Sequence, residues 1–195
     1  NWTNKGVSAG KIVYMSDTHD TYSNDEGEGG WTKFIDQNIV DRSYALEAAR
    51  ADASALYFSR PSQTAKTSIM QGQKGSTHFT SKEVAAANHL HNACIGQKDA
   101  YYGDESAKVD VVCRETGAVL VLASGSDKEV TTKNVNGLTK PGTYVDEVSG
   151  NTFTVTSSTI TGKIGSTGIA VIYEAIDDKP SVSADKADGS KFDDT

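Results

Sequence analysis

Between residues 108 and 174 the chain divides into seven short runs: KVDVVCRE, AVLVLAS, EVTTKNV, GTYVDE, NTFTVTS, TITGKI and TGIAVIYE. The segments between them carry turn signals: ETGA, GSDK, NVNG, KPG, VSGN and GSTG. Short runs bounded by Gly, Asn, Asp and Pro read as strands joined by tight turns. Several in succession at this spacing read as an antiparallel β-sandwich. Alternation is clear at Val119–Val121 and again at Phe153–Val155, as expected of strands with one face on a core. We assign residues 99–175 to this all-β domain.

Residues 1–98 have a different texture. KIVYM (11–15) is a continuous apolar-rich run, which predicts a strand covered on both faces. The loop EGEGG follows. NIVDRSYALEAAR (38–50) places Ile39, Tyr44, Ala45 and Ala48 on roughly one face and ends in Arg50, so it predicts a helix. SALYFS (54–59) is a second short strand, stopped by Pro61, and a polar loop of about twenty residues comes next. SKEVAAANHLHNACIGQ (81–97) then predicts a helix with Ser81 as N-cap, an inner face of Val84, Ala87, Leu90, His91 and Cys94, and Gly96 as its stop. Strand, helix, strand, helix implies parallel strands with right-handed crossovers. The fold class is therefore α/β followed by all-β.

The bulk properties restrict partners. The formal net charge of −7 argues against nucleic acid and against an anionic membrane surface, since both need a basic face. No apolar run approaches the roughly 20 residues of a membrane span. The opening NWTNKGVSAG is polar and reads as a loop cut out of something longer. Two cysteines, Cys94 and Cys113, exclude a disulfide framework and the usual zinc spacings. A single bridge between them stays open, beside the plainer reading of two partly buried thiols.

The run KIVYMSDTHDTYSND carries the chemistry. A strand leads into Asp17, His19 and Asp20. An Asp-x-His pair at a strand end is the opening metal motif of calcineurin-like phosphoesterases. A dinuclear site, however, needs more His and Asp ligands from later strands. The other histidines are His78 in a polar loop, and His89 with His91, which stand two apart on a helix and point to different faces. The metal reading runs out of ligands.

Three ordered stretches point elsewhere. YMSDTHDTYSND, then LYFSRP, then AAANHLHNACIGQ resemble the end of the catalytic barrel of bacterial α-amylases, over residues 11 to about 175. The resemblance implies the last two β/α units of a TIM-type (β/α)8 barrel within residues 1–98, followed by the C-terminal β-sandwich. It implies retaining endo-hydrolysis of α-1,4-glucosidic bonds in starch or maltooligosaccharides. Asp20 takes the place of the family's third carboxylate, which stabilises an oxocarbenium-like transition state. His19 takes the place of a hydrogen-bond donor to the same sugar, and Asn24 that of a nearby glucan contact. Asp17 stands where many amylases carry Glu and supports the site. Arg60 orients a loop carbonyl or a carboxylate. His91 and Asn92 read as satisfied helix-end groups. Tyr101 and Tyr102 either pack at a domain boundary or form a surface sugar platform. In the bland alternative, the Asp–His pair only caps a loop.

The family's nucleophile and general acid/base come from barrel strands that this chain lacks. A full barrel takes about 250 residues, so the chain alone is expected to be inactive. Its partners are then the glucan and the missing N-terminal part of the enzyme, which another chain could supply. The resemblance also implies secretion, and calcium bound by ligands upstream, so no metal ligand is assigned here. A non-catalytic glucan-binding or structural piece is the competing reading. The tail, 176–195, is charged and reads as a linker. Its PSVSADKADGSKF resembles the start of an Ig-like module appended to secreted polysaccharide-degrading enzymes.

Overall fold

A computed structural model of the chain describes residues 6–52, 54–65, 67–68 and 72–174. The linker and further module expected at 176–195 lie outside the described residues. The first part holds β1 (Val13–Met15), the short helix α1 (His19–Ser23), α2 (Gln37–Ala48), β2 (Ser54–Leu56) and α3 (Lys82–Ala93). β1 and β2 are parallel, with Val13 opposite Ser54 and Met15 opposite Leu56, so α2 is the crossover between them. Ser81 caps α3 by accepting from the Val84 amide, and Gly96 beyond its end takes a positive φ of 79°.

The second part contains β3 (Asp99–Asp104), β4 (Val109–Arg114), β5 (Gly117–Leu122), β6 (Lys128–Lys133), β7 (Gly142–Val145), β8 (Thr152–Val155), β9 (Thr159–Ile164) and β10 (Ile169–Tyr173). They form two antiparallel four-stranded sheets, in the orders β10-β5-β4-β3 and β6-β9-β8-β7. Between the sheets lies a core built from Val109, Val111, Leu120, Leu122 and Ile172 on one side and Tyr144, Phe153, Ile160 and Ile164 on the other. All seven predicted strands are present. β3 is an addition, because DAYYGD has no clear alternation to announce it.

The sandwich is not the outer limit of the packing. The reverse face of the first sheet, with Val112, Val119, Val121, Ile169 and Val171, is covered by Tyr44, Ala45 and Ala48 of α2 and by Val84, Ala87 and Leu90 of α3. The molecule thus has three layers: helices, inner sheet and outer sheet. β4, β5 and β10 of the inner sheet are buried on both faces, while β6 and β8 alternate buried and exposed.

Two arginines fasten the helices to the sheet. Arg114, fully buried at the end of β4, donates to the carbonyls of Ala49 (2.9 Å), Gln97 (3.0 Å), Lys98 (3.1 Å) and Cys94. Ala49 and Cys94 are the C-caps of α2 and α3, so one cation serves the negative ends of both helices. Arg42 of α2 reaches the carbonyls of Thr167 (3.0 Å), Leu122 (3.1 Å) and Gly125 (2.6 Å).

Three expectations need correction. The run KIVYM is not covered on both faces: Val13 and Met15 are 53% and 52% exposed, and Leu56 on the paired strand is 51% exposed. Among the described residues these two strands pair only with each other. Ile39 faces outward, and Val40 and Asp41 take its place on the buried side of α2. His91 is half-buried rather than an inner-face residue; its Nδ1 donates to the Ala48 carbonyl at 2.8 Å. Cys94 and Cys113 are both free and buried, and burial raises both thiol pKa values, which keeps them protonated.

Within the outer sheet Phe153 stands opposite Gly162. A Cβ at Gly162 would fall 2.5 Å from the phenyl ring, and that ring is fully buried. Gly162→Ala is therefore expected to destabilise the chain by about 1–3 kcal/mol through overpacking. A shift in the urea midpoint checks this, and an unchanged midpoint counts against it.

Candidate active site

The site begins with a buried carboxylate. Asp17 follows β1 directly, and its side chain has no solvent exposure. Its Oδ1 accepts from the Thr18 amide (2.9 Å), the Thr21 hydroxyl (3.0 Å) and the Thr32 hydroxyl (2.6 Å). Its Oδ2 accepts from Arg60 Nε at 2.8 Å. Three donors thus converge on Oδ1 and one on Oδ2, which fixes the carboxylate in place.

Arg60 completes the frame. Its Nη1 and Nη2 donate to the carbonyls of Ile35 (2.8 Å) and Thr32 (2.9 Å), and its guanidinium lies 5.0 Å from the Tyr22 ring centroid. The arginine directly after the second strand run thus ties the loop after α1 to the end of β1. The two roles open for Arg60, carbonyl and carboxylate, are both filled.

This frame presents His19 and Asp20. Thr18 forms a capping box with Thr21, which starts α1 at His19. The His19 Nε2 and Asp20 Oδ1 atoms are 3.3 Å apart, and their side chains are 80% and 68% exposed. Asn24 is the C-cap of α1; its amide donates to the Asp20 carbonyl, and its own carbonyl accepts from Lys33 Nζ at 2.8 Å. Gly30 folds back on it so closely that a Cβ there would lie 1.8 Å from the Asn24 carbonyl oxygen. Only glycine closes this loop.

An open cavity of about 500 Å³ lies past the C-terminal ends of β1 and β2. Met15, Leu56, Tyr57 and Phe58 supply apolar surface, and Thr18, His19 and Asp20 supply polar groups. Tyr57 is fixed from behind. Its hydroxyl donates to buried Asp41 at 3.1 Å, Gln37 and His78 donate to the same carboxylate, and Tyr44 packs edge-on at 4.9 Å. Burial, and then the Asp41 charge, push the Tyr57 pKa up, so the phenol stays neutral.

No protein-family model matches the chain. An α-amylase of Butyrivibrio fibrisolvens is 28% identical over 179 residues, covering 86% of this chain and 18% of the relative. An α-amylase of Clostridium acetobutylicum is also 28% identical, over 172 residues, covering 86% of this chain and 20% of the relative. The crystal structure of α-amylase I from Eisenia fetida matches the fold with a TM-score of 0.61 at 15% identity, over 89% of this chain and 43% of that one. The chain is similar in sequence to these two α-amylases and in fold to the third. It spans about a fifth of the length of the curated relatives it matches.

The four histidines go to separate partners. His19 meets Asp20, His78 meets Asp41, His89 meets Glu147 at 2.7 Å, and His91 meets the Ala48 carbonyl. Among the described residues no group of three or more His, Cys, Asp or Glu is arranged to hold a metal ion. Also among the described residues, no helix is long and apolar enough to cross a membrane.

The structure brings His19, Asp20 and Asn24 onto one short helix, with Asp17 and Arg60 beneath it. Tyr101 and Tyr102 lie away from it on β3: Tyr101 is exposed with its hydroxyl on Asp110, while Tyr102 packs on the sandwich core under Lys133. Sequence reasoning missed Thr32, whose hydroxyl is the shortest contact to Asp17. It lies two residues beyond the EGEGG loop, where no periodic pattern marks it.

Proposed function

We propose that this chain is the C-terminal part of a secreted α-amylase, a retaining endo-hydrolase of α-1,4-glucosidic bonds in starch and maltooligosaccharides. In this reading β1, α2, β2 and α3 are the last two units of a (β/α)8 barrel, and the sandwich is the domain that follows it. One observation carries the proposal. An exposed His–Asp pair stands at the C-terminal ends of two parallel strands, where barrel active sites sit, over a carboxylate already satisfied by four donors.

The chemistry follows from the residue types. A retaining glycosidase passes through an oxocarbenium-like transition state flanked by a nucleophile and an acid/base carboxyl group. Those two groups belong to the upstream part of the enzyme. Asp20 hydrogen-bonds two hydroxyls of the distorted sugar, more tightly in the transition state than in the ground state. His19 donates to a hydroxyl of the same ring, and Asn24 contacts the glucan next to it. Calcium, where the enzyme carries it, is held by upstream residues.

The exposed strand pair supports the need for that upstream part. Apolar Val13, Met15 and Leu56 face solvent, and among the described residues each strand has one edge without a partner strand. The test is complementation. The 195-residue chain alone is expected not to release reducing ends from starch, and the chain with its upstream region restored is expected to do so. A completed protein that binds starch and never cleaves it sinks the proposal and leaves a glucan-binding module.

A further inference from the structure

Asp41 is a second buried carboxylate, on α2, with its side chain 3% exposed. It is not among the groups that line the cavity. Taking a carboxylate out of water is unfavourable, and a well-packed apolar side chain serves stability as well or better. The donors that meet it show what it does. Gln37 Nε2, one turn back on α2, donates at 3.0 Å, the Tyr57 hydroxyl at 3.1 Å and His78 Nε2 at 2.7 Å. Tyr57 follows β2 directly and lines the cavity. His78 opens the turn that leads into α3. One carboxylate on α2 therefore joins the cavity wall to the segment entering α3.

The same two pieces are held from other sides. The Ser59 hydroxyl donates to the Ser76 carbonyl at 2.7 Å, and the Ser76 amide donates to the Arg60 carbonyl at 3.1 Å. Arg60 is the residue that clamps Asp17 under His19 and Asp20. Tyr44, edge-on to the Tyr57 ring, donates its own hydroxyl to Asn88 of α3 at 2.7 Å. We propose that Asp41 is a positioning residue for substrate binding. It sets Tyr57 in the wall of the cavity beside His19 and Asp20, and through His78 it holds the segment entering α3 against that wall. A wall fixed before the glucan arrives loses little freedom on binding. The inference rests on the amylase reading and deepens it, since it assigns part of the affinity for the glucan to a carboxylate behind the cavity.

The experiment uses the protein with its upstream region present and reads KM and kcat on maltoheptaose. Asp41→Asn is expected to raise KM by about fivefold, the scale of one hydrogen bond, with a smaller change in kcat. Tyr57→Phe removes the other partner of the same contact and should raise KM to a similar extent. The double variant should be no worse than either single one, because both delete one contact. His78→Leu should also raise KM, and His78→Gln, which keeps a donor, should bring it back. KM effects that multiply in the double variant overturn the inference. So does an unchanged KM, including one beside a lowered melting temperature, which makes Asp41 a stability residue only. If Asp41→Asn does not fold, Tyr57→Phe decides alone: a parental KM in that variant overturns the inference. The two levels fail separately. A completed parent that never cleaves starch removes the amylase reading and this inference with it, whereas an active parent with unmoved variants removes only the inference.

Discussion

Asp20→Asn, made in the protein with its upstream region present, is expected to lower kcat on starch by roughly 10²–10³-fold, the scale of one lost transition-state contact. KM should move little, because the interaction is worth most in the distorted sugar. The melting temperature should not move, since Asp20 is largely exposed and the one side chain described beside it is His19 at 3.3 Å. This combination of lost kcat, retained KM and retained stability defines the role. A kcat within about threefold of the parent enzyme would show that Asp20 makes no transition-state contact of that size. Asp17 cannot serve as the comparison: its four donors tie together β1, α1, the Thr32 turn and Arg60, so a change there disturbs the frame before it reaches the chemistry.

The second large effect concerns stability. Arg114→Met should reduce the free energy of unfolding by more than about 3 kcal/mol, because several buried carbonyls lose their donor at about 1–3 kcal/mol each. Arg114→Lys should recover little. A single ammonium cannot reach carbonyls spread over Ala49, Cys94, Gln97 and Lys98 as a planar fork does. Urea unfolding followed by far-UV circular dichroism reads this, and a loss under about 1 kcal/mol contradicts it.

The sandwich was legible in the sequence because its strands are short and separated by turn residues, and every one of the seven runs became a strand. The depth of burial was read less well. Continuous apolar character was assigned to KIVYM as a sign of cover on both faces. The same sign in VDVVCR, GAVLVL and IAVIY marks strands that are covered on both faces here, by helices on one side and the outer sheet on the other. KIVYM has the same composition without its neighbours. Ile39 failed for a related reason: with Val40 beside it, two aliphatic residues competed for one helix face, and tertiary packing chose between them. In the site, His19, Asp20 and Asn24 were placed by a motif, and Asp17 with Arg60 by their position at strand ends. Thr32 was invisible, because a hydroxyl's partner fifteen residues away in a loop leaves no periodic trace.

The three-layer packing has a consequence for biosynthesis. The apolar faces of α2 and α3 rest on β4, β5 and β10. The ribosome makes the last of these about 80 residues after α3, a delay of several seconds at about 5–20 residues per second. Until then the floor consists of β4 and β5 alone, and α3 lacks its main strand. A nascent chain that stops before Ile169 holds α3 with much of its apolar side open, a substrate for chaperones and proteases. The final strand acts as a completeness check on the layer beneath α3.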